Sequence, residues 1–382
     1  MKRVLIVNDE MVTGGVARVL INMLKELDFD DVAIDLLILH PHGEMFKDIP
    51  TKYHILNSTP FFDICDVSIG NAFRQGYKTL LKKIRFFLLM KTGKINKLIK
   101  EERKKIIKDE YDIEIAYKEG FCTIFVANGN AKKKINWIHV DYKKNNYSSN
   151  HMNLVKDALN QIDVNVTISN EAALSYKEVF NLDKEPLIIH NFIDVKDIEE
   201  KAKDSINLSD KFNIVSVGRL HYQKAFLRML DVCNKLKNDN YKYHYYIVGD
   251  GEQKDQIVSK IEALDLKDYV TLVGYNPNPY KYMKSADLVL LPSLYEGLPT
   301  IVYESLIVKT PILTTEVAGV KEQLNNGEYG MICENSEEGI YKALKELFDD
   351  PSKINRYKDA VIKYNNRNNE ESKEKIRELF LS

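Results

Sequence analysis

Two glutamates flank a turn whose residues could bind a sugar nucleotide. They lie in SLYEGLPTIVYES, residues 293–305, where Glu296 and Glu304 stand on either side of a Gly-Leu-Pro corner. Pro299 is typical of the first position of a helix, where unpaired N–H groups and the helix dipole favour phosphate. A carboxylate can accept hydrogen bonds from sugar hydroxyls, as from a ribose. The pattern therefore suggests that backbone N–H groups bind phosphate and that the carboxylates bind sugar hydroxyls. The alternative is a capped helix with two solvated acids.

A second group of candidate residues is cationic. The stretch VGRLHYQK places Gly218, Arg219 and Lys224 at the end of a strand-like run. In an open α/β sheet, ligands bind beyond the carboxyl ends of the strands. A guanidinium and an ammonium there would neutralise a diphosphate, although a single Arg or Lys is more often a solvated charge.

The elements that would position these residues alternate between strands and helices. In the first half, apolar runs predict strands at 3–8, 32–39, 111–117, 134–140, 164–169 and 186–191, with helical spacing at 16–27, 78–108 and 171–180. The pattern then restarts, with strands at 212–220, 243–251, 270–274, 287–292 and 310–315 and helices at 225–237, 253–266, 279–285 and 299–308. This alternation predicts α/β architecture with two Rossmann-like, doubly wound domains.

Domain bounds follow from the polar stretch between these halves. Residues 195–210 read as a linker, so we expect an N-terminal domain over 1–194 and a C-terminal domain over 205–365. The last helix is predicted at 370–381. We expect the segment 366–382 to pack back on the N-terminal domain.

Composition excludes several classes of protein. The 382 residues include 55 Lys and Arg against 56 Asp and Glu, so net charge does not indicate a nucleic-acid partner. Four scattered cysteines, without zinc spacing, favour a reducing compartment. The N-terminal apolar run is too short for a signal peptide, and no apolar run reaches 18 residues. We therefore expect a cytoplasmic protein.

The segment 78–108 is strongly basic and has helical apolar spacing, with Glu101 and Glu102 its only acids. A basic amphipathic segment with aromatic residues suits an anionic membrane surface. The predicted membrane contacts are Lys82, Lys83, Arg85, Phe86 and Phe87. A core-facing helix with a solvated basic face is the alternative, and nucleic acid is disfavoured because no recognition motif accompanies the segment.

These motifs together resemble a known family. VGRLHYQK, YIVGDGEQ, VTLVGY and ADLVLLPSLYEGLPTIVYESL, followed by TPILTTEVAGVKE, are similar to the C-terminal domain of retaining family 4 glycosyltransferases (glycosyltransferase group 1) of the bacterial capsule and exopolysaccharide type. The resemblance covers most of 212–350, and is looser in the N-terminal half through VLIVNDEMVTGGVARVL and WIHVDY. It implies the GT-B fold, in which two Rossmann-like domains face a cleft.

The resemblance also implies a role for each candidate residue. Arg219 and Lys224 would hold and stabilise the departing diphosphate, Glu296 would contact the donor sugar, and Glu304 would bind the ribose hydroxyls. Gly297 and Leu298 would offer backbone N–H groups. The remaining donor-binding positions implied are Gly14, Gly15, Gly218, Gly274 and Tyr275. His139 would lie near the donor sugar, although a satisfied core histidine beside Trp137 is an equally good reading of that residue.

The reaction implied is glycosyl transfer from a nucleotide sugar, with UDP favoured by family precedent, to a hydroxyl with retention at the anomeric carbon. No metal and no cofactor are implied. Asp28 and Asp30 form an Asp-x-Asp that reads as a solvated loop. The sequence departs from the family at Ala225, where glycine is usual, and at Phe192, where the hinge usually has Asn-Gly.

With the basic segment, the resemblance favours a peripheral enzyme on the inner face of the plasma membrane, with a lipid-linked saccharide as acceptor. Two alternatives stay open. A nucleotide-sugar epimerase of the same architecture would act on the donor alone, and a non-catalytic subunit would bind the donor without turnover. A nicotinamide dehydrogenase is disfavoured, because GDGEQK has only two glycines of the dinucleotide fingerprint.

Overall fold

The computed structural model describes residues 1–12, 14–66, 69–144 and 149–382, without the side chains of 65, 66, 69, 71 and 150. Met1–Phe192 with Asn368–Ser382 form one compact unit, called unit 1, and Ile193–Arg367 form another, called unit 2. Cys122, Cys233 and Cys333 are buried free thiols, while the side chain of Cys65 lies outside the described residues. Within the described ranges, no helix is long and apolar enough to cross a membrane.

Unit 1 is built on a parallel sheet. Its strands are β1 (Lys2–Asn8), β2 (Val32–Ile38), β3 (His54–Leu56), β4 (Ile113–Ala116), β5 (Lys133–Ile138), β6 (Val164–Thr167) and β7 (Leu187–Ile188). They lie in the order β3-β2-β1-β4-β5-β6-β7. The core of β1 is apolar on both faces, since Val4, Leu5, Ile6 and Val7 are all fully buried.

The helices of this half are α1 (Gly15–Glu26), α2 (Asp63–Asp66), α3 (Ile69–Arg74), α4 (Tyr77–Lys91), α5 (Ile95–Ile106), α6 (Phe121–Ala127), α7 (Ser149–Leu159) and α8 (Asn170–Phe180). The predicted helix over 78–108 is therefore two helices. Gly93, whose φ is +69°, lies between α4 and α5 and ends the first of them.

Unit 2 repeats this architecture. Its strands are β8 (Phe212–Val217), β9 (Tyr243–Val248), β10 (Val270–Gly274), β11 (Leu288–Leu291), β12 (Ile312–Thr315) and β13 (Gly330–Cys333). They lie parallel, in the order β10-β9-β8-β11-β12-β13. In both units the chain moves outward from the first strand and then crosses back to its other side. The topological switch points therefore lie between β1 and β4 and between β8 and β11.

The remaining helices are α9 (Val195–Lys201), α10 (Phe226–Asn238), α11 (Lys254–Ala263), α12 (Tyr280–Ser285), α13 (Thr300–Ile307), α14 (Val320–Gln323), α15 (Glu337–Asp349), α16 (Pro351–Lys363) and α17 (Asn368–Leu381). Within the segment 195–210, which the sequence predicts as a linker, residues 195–201 form α9 and belong to unit 2. Asp194 caps α9 by accepting a hydrogen bond from Asp197 N, and Ile198 is buried.

The last helix, α17, lies in unit 1. Asn368 Nδ2 donates to Asn191 O at 2.6 Å, and Lys133 Nζ donates to Leu379 O at 2.6 Å. Phe380 is buried, with its ring 6.2 Å from that of Phe29 in an edge-to-face contact. The chain thus returns to the first sheet after completing unit 2.

Strands β3 and β13 are absent from the sequence-based assignment. Both are short, and β13 begins with a glycine, which is depleted in strands. At Gly330 an added Cβ would lie 2.7 Å from Ile312 O, so close approach of the neighbouring strand requires that glycine.

Candidate functional site

The loops after β8 and β11 flank the switch point of unit 2 and contact each other directly. Leu294 N donates to Gln223 O at 2.8 Å, and Gln223 Nε2 donates to Tyr295 O at 2.8 Å. Because ligands of open α/β sheets bind at such a point, these two loops form the candidate donor site.

The loop after β8 holds Lys224 in a short 3-10 turn over Tyr222–Lys224. His221 Nδ1 accepts a hydrogen bond from Gln223 N at 3.2 Å and so caps that turn. The stem of Lys224 lies over Gly218, where an added Cβ would be 3.5 Å from Lys224 Cε. The next residue, Ala225, has φ +53°, so an alanine occupies the left-handed conformation that favours glycine.

The carboxylate of Glu296 is the centre of this site. Its Oε1 accepts hydrogen bonds from Lys224 Nζ at 2.6 Å and from Ser293 Oγ at 2.7 Å, and its Oε2 accepts one from Gln223 Nε2 at 3.2 Å. A carboxylate offers about four acceptor positions. One position on Oε2 therefore remains for a ligand hydroxyl.

Lys224 and Arg219 differ in how they are engaged. The side chain of Lys224 is 22% exposed, and its ammonium is paired with Glu296. Arg219 is exposed, and in the described part of the chain its guanidinium makes no ion pair or hydrogen bond. A diphosphate would therefore meet one free cation and one cation already paired with a carboxylate.

The turn before α13 is packed closely. Pro299 is the N-cap residue rather than the first helical residue, because its ψ of 115° is extended. At Gly319, whose φ is +82°, an added Cβ would lie 2.5 Å from Leu298 Cδ1 and 3.2 Å from Gly297 O. Glu304 is half-buried on α13. Gly319 thus supports the turn that carries Gly297 and Leu298.

Glycines let the neighbouring loops approach each other. At Gly249, which follows β9, an added Cβ would lie 1.9 Å from Gly218 O, and Gly249 N donates to Gly274 O at 2.9 Å. Gly218, Gly249 and Gly274 therefore form a continuous edge at the carboxyl ends of β8, β9 and β10. Tyr275 follows on this edge and is 70% exposed, so its ring is available to a ligand.

In unit 1, His139 follows β5 and is buried beside Tyr117 and Trp137. The centroid of its ring lies 4.9 Å from that of Tyr117 and 6.5 Å from that of Trp137, and the rings of His139 and Trp137 are stacked. Burial lowers the pKa of His139 to about 4, although a hydrogen bond to the Tyr117 backbone raises that pKa in part. Its Nε2 is buried without a protein partner among the described residues. His139 is therefore neutral at pH 7, and Nε2 is a hydrogen-bond acceptor.

A charged group at the switch point of unit 1 is absent from the sequence-based candidates. Asp9 Oδ2 lies 2.8 Å from Lys118 Nζ, and Asp9 Oδ1 lies 2.8 Å from Nδ1 of His40. Burial of Asp9 raises its pKa, but His40 and Lys118 outweigh this and lower it to about 2. The signal was available, because Asp9 and Lys118 follow the two strands that flank the switch point.

Glu119 lies next to this group. Its Oε2 accepts a hydrogen bond from His139 N at 3.1 Å. Burial raises the pKa of Glu119, although backbone hydrogen bonds and Lys118 oppose that shift.

The glycine loop of unit 1 lies at the start of α1. Gly14 precedes the helix in an extended conformation, and Gly15 is its first residue. No described side chain caps this helix end, and its first turn has no acidic residue. Such an end favours an anion.

Ser293 and Gln223 are the residues of the donor site that sequence reasoning missed. Ser293 is fully buried, and Gln223 precedes Lys224 in the cationic loop. Among the described residues, no cluster of His, Cys, Asp or Glu could hold a metal ion.

The prediction that Phe86 contacts a membrane is wrong. It is buried against Phe61 and Phe121, with centroids 6.2 and 6.0 Å away. Lys83 Nζ donates to Ile64 O at 3.0 Å. Lys82, Arg85 and Phe87 are exposed on α4.

Comparison with known proteins relates unit 2 to a family. The family described as "Glycosyl transferases group 1" matches residues 197–368. A Campylobacter jejuni protein named N-acetylgalactosamine-N,N'-diacetylbacillosaminyl-diphospho-undecaprenol 4-alpha-N-acetylgalactosaminyltransferase is 32% identical over 176 residues, 46% of this chain. The chain spans about half of that relative, since the match covers 47% of it. An uncharacterized glycosyltransferase of Haemophilus influenzae is 25% identical over 88% of each chain.

Solved structures extend the likeness to both units. TarM of S. aureus, in a complex with UDP, alpha-GlcNAc-glycerol and fondaparinux, has a TM-score of 0.72 at 17% identity over the full length of both chains. Anabaena HepE, in complex with UDP and glucose, has a TM-score of 0.70 at 16% identity, again over both full lengths. These likenesses confirm the predicted GT-B fold.

Proposed function

We propose that this protein is a retaining glycosyltransferase, because the family described as "Glycosyl transferases group 1" matches residues 197–368. It moves a sugar from a nucleoside diphosphate sugar to a hydroxyl in the synthesis of a bacterial surface polysaccharide. The observation that carries this proposal is the Glu296 carboxylate, which Lys224, Ser293 and Gln223 hold at the switch point of unit 2.

The cations serve the leaving group. Lys224 has two N–H donors beyond the one given to Glu296, and Arg219 offers a guanidinium to the same loop. Together they stabilise the negative charge that develops on the departing diphosphate. We propose that these cations make a metal ion unnecessary, so that EDTA leaves the rate unchanged.

The carboxylates hold the sugars of the donor. Glu296 has an acceptor position left for a hydroxyl of the transferred sugar, and Glu304 on α13 accepts from the ribose. The backbone of Gly297 and Leu298 contacts phosphate or sugar, and Tyr275 gives its exposed ring to the nucleoside. Within unit 1, Gly14 and Gly15 are proposed to bind an anion at the start of α1, and His139 Nε2 to accept a hydroxyl hydrogen bond.

In the proposed step, the bond from the anomeric carbon to the diphosphate oxygen breaks. The acceptor oxygen forms its bond to that carbon on the same face, and its proton passes to the departing diphosphate. No carboxylate acts as a nucleophile. The rate then depends on orientation and on stabilisation of the leaving group.

The donor is proposed to be a UDP-sugar. The solved structures of HepE and TarM contain UDP, and the names of several relatives refer to polysaccharide synthesis, such as the amylovoran glycosyltransferases of Erwinia amylovora. This supports the nucleotide and the pathway class without identifying the sugar.

The acceptor is proposed to be a lipid-linked saccharide at the cytoplasmic face of the membrane. The name of the Campylobacter jejuni relative describes a diphospho-undecaprenol acceptor. In this chain, α3 and α4 expose a stripe of Phe73, Tyr77, Leu81, Ile84 and Leu88, with exposed fractions from 46% to 73%. Lys78, Lys82 and Arg85 lie beside it. An exposed apolar stripe flanked by cations suits an anionic bilayer.

Two other functions use the same donor site. An epimerase would convert the nucleotide sugar without an acceptor, and a binding subunit would hold it without turnover. Both alternatives retain nucleotide-sugar binding, so binding alone does not separate them from a transferase.

The test is a panel of UDP-, GDP-, ADP- and dTDP-sugars, each with and without a membrane lipid extract. We expect one donor to stabilise the fold and to release nucleoside diphosphate only with the extract. Conversion of the donor alone would replace the transferase with an epimerase. Binding without conversion in any extract fraction would favour the binding subunit.

A further inference from the structure

The loop between β11 and α13 is fixed by side chains from several different elements. Each backbone carbonyl of residues 292–295 accepts a side-chain hydrogen bond. The pairs are Pro292 O with Arg228 Nη2 at 2.6 Å, Ser293 O with Thr315 Oγ1 at 2.7 Å, Leu294 O with Asn335 Nδ2 at 2.9 Å and Tyr295 O with Gln223 Nε2 at 2.8 Å. Buried carbonyls need partners, but loops usually obtain them from water or from their own backbone.

Arg228 and Asn335 form a single clamp within this arrangement. Arg228 Nη2 donates to Asn335 Oδ1 at 3.0 Å, and Nη1 lies 3.4 Å from Asn335 O. Asn335 Nδ2 also lies 3.4 Å from Glu316 O, beyond the end of β12. The clamp therefore joins α10, the end of β13 and the loop that carries Glu296.

The clamp does not touch the carboxylate that it would position. Glu296 is bound by Lys224, Ser293 and Gln223, and among the described residues neither Arg228 nor Asn335 bonds to its carboxylate. However, Ser293 and Glu296 lie on the clamped loop. Arg228 lies one turn after Lys224, at the start of α10. The start of α10 therefore connects the loop that carries Lys224 to the loop that carries Glu296.

We propose that Arg228 and Asn335 are positioning residues that set the place of the Glu296 carboxylate relative to Lys224. This proposal rests on the proposed function for its kinetic consequence. A displacement of about 1 Å at a reacting centre costs roughly 10²-fold in rate. The clamp thus acts on the sugar end of the donor, while Lys224 and Arg219 hold the diphosphate.

The kinetic test compares Arg228→Met, Asn335→Ser and Arg228→Lys with the unsubstituted protein. We expect kcat to fall roughly 10²-fold in the first two variants, while the Kd of UDP stays within about threefold because both cations remain. Arg228→Lys retains a donor for Pro292 O and should recover part of kcat. The proposal would be overturned if the fall in kcat were explained by a smaller fraction of folded protein. It would also be overturned if the affinity for UDP weakened as much as kcat.

The control variant is Lys237→Met. Lys237 Nζ donates to Leu264 O at 3.0 Å and to Asp265 O at 2.8 Å, at the other end of α10. The substitution removes side-chain hydrogen bonds to loop carbonyls in the same unit, at a distance from Glu296. We expect lower stability with unchanged kcat.

A second measurement needs no substrate, so it separates this proposal from the proposed function. The coupling between Lys224→Met and Glu296→Gln is measured by urea unfolding, first in the unsubstituted protein and then with Asn335→Ser. The coupling should shrink when the clamp is broken. Equal coupling in both backgrounds would show that Glu296 is placed without Asn335, even if the protein transfers no sugar.

Discussion

At the scale of single residues, the ion pair between Lys224 and Glu296 decides how the donor is received. Lys224 Nζ lies 2.6 Å from Glu296 Oε1. In the proposed reaction Lys224 binds the diphosphate, whereas Glu296 binds the transferred sugar. A diphosphate can therefore use the other two N–H donors of Lys224, and it competes with Glu296 only for the positive charge.

Glu296→Gln tests this competition. The amide still accepts from Ser293 but no longer neutralises Lys224, so UDP should bind as tightly or several-fold more tightly. The transferred sugar loses its charged acceptor, and kcat should fall roughly 10²-fold. Calorimetry with UDP and steady-state kinetics measure the two effects.

The control is Glu262→Gln, which removes an exposed carboxylate paired with Lys267 at 3.0 Å. It should change neither UDP affinity nor kcat. If UDP affinity fell together with kcat in Glu296→Gln, the carboxylate would be supporting the diphosphate rather than competing with it.

His139 gives a prediction about pH. Its folded pKa of about 4 lies below the ordinary value of 6.5, so the unfolded chain binds more protons between these values. The contribution of neutral His139 to the free energy of unfolding is therefore fully present above pH 6.5 and is lost as pH falls toward 4. From pH 7.5 to 5.0 the loss is about 2 kcal/mol.

Urea unfolding followed by the fluorescence of Trp137, the only tryptophan, measures this loss in unit 1. His139→Gln should lose about 2 kcal/mol less between pH 7.5 and 5.0 than the unsubstituted protein. Other titrating groups are common to both proteins and cancel in the difference. Equal losses would mean that folding does not lower the pKa of His139.

At the scale of elements, α4 has one packed face and one exposed face. Phe86 lies in the core, whereas Leu81, Ile84 and Leu88 are exposed. The helical period places Phe86 and Phe87 on different faces, so adjacent aromatic residues have different roles. The sequence pattern alone supports either face as the buried one.

Reversal of two charges on α4 tests its proposed contact with lipid. Lys82→Glu with Arg85→Glu should weaken binding to anionic vesicles by at least roughly 30-fold, since each cation near such a surface contributes about 1 kcal/mol. Flotation with vesicles of phosphatidylglycerol and phosphatidylcholine measures it. Lys83 is left intact because it donates to Ile64 O.

A matched double variant, Lys267→Glu with Lys342→Glu, changes charge by the same amount on unit 2. These side chains are 68% and 72% exposed. Vesicle binding that falls equally in both double variants would indicate a response to net charge and remove α4 as the docking element.

At the scale of the whole molecule, the chain completes unit 1 only after it has completed unit 2. Helix α17 contributes Ile376, Leu379 and Phe380 to the core of unit 1. Stability of the first sheet therefore depends on the last residues of the chain.

Phe380→Ala should destabilise unit 1 by roughly 3–5 kcal/mol, the usual cost of truncating a buried phenylalanine. Trp137 fluorescence during urea unfolding again reports on unit 1. Ile362→Ala, on α16 of unit 2, is the control, because Ile362 is 66% exposed and should cost under about 0.5 kcal/mol. A similar small effect of Phe380→Ala would show that α17 is not needed for the first sheet.

The sequence by itself determined the fold class and the long strands and helices, because buried parallel strands are apolar throughout and helices carry a 3.6-residue period. It also pointed to Arg219, Lys224, Glu296 and Glu304, since these lie in short motifs after strands. Only the tertiary structure decided that Lys224 is paired with Glu296, that Ser293 and Gln223 complete that site, and that Phe86 is buried. It also placed Asp9, His40 and Lys118 together and assigned β3, β13 and α9. These features depend on which strands become neighbours and which helix face packs, and such long-range contacts leave no local periodicity in the sequence.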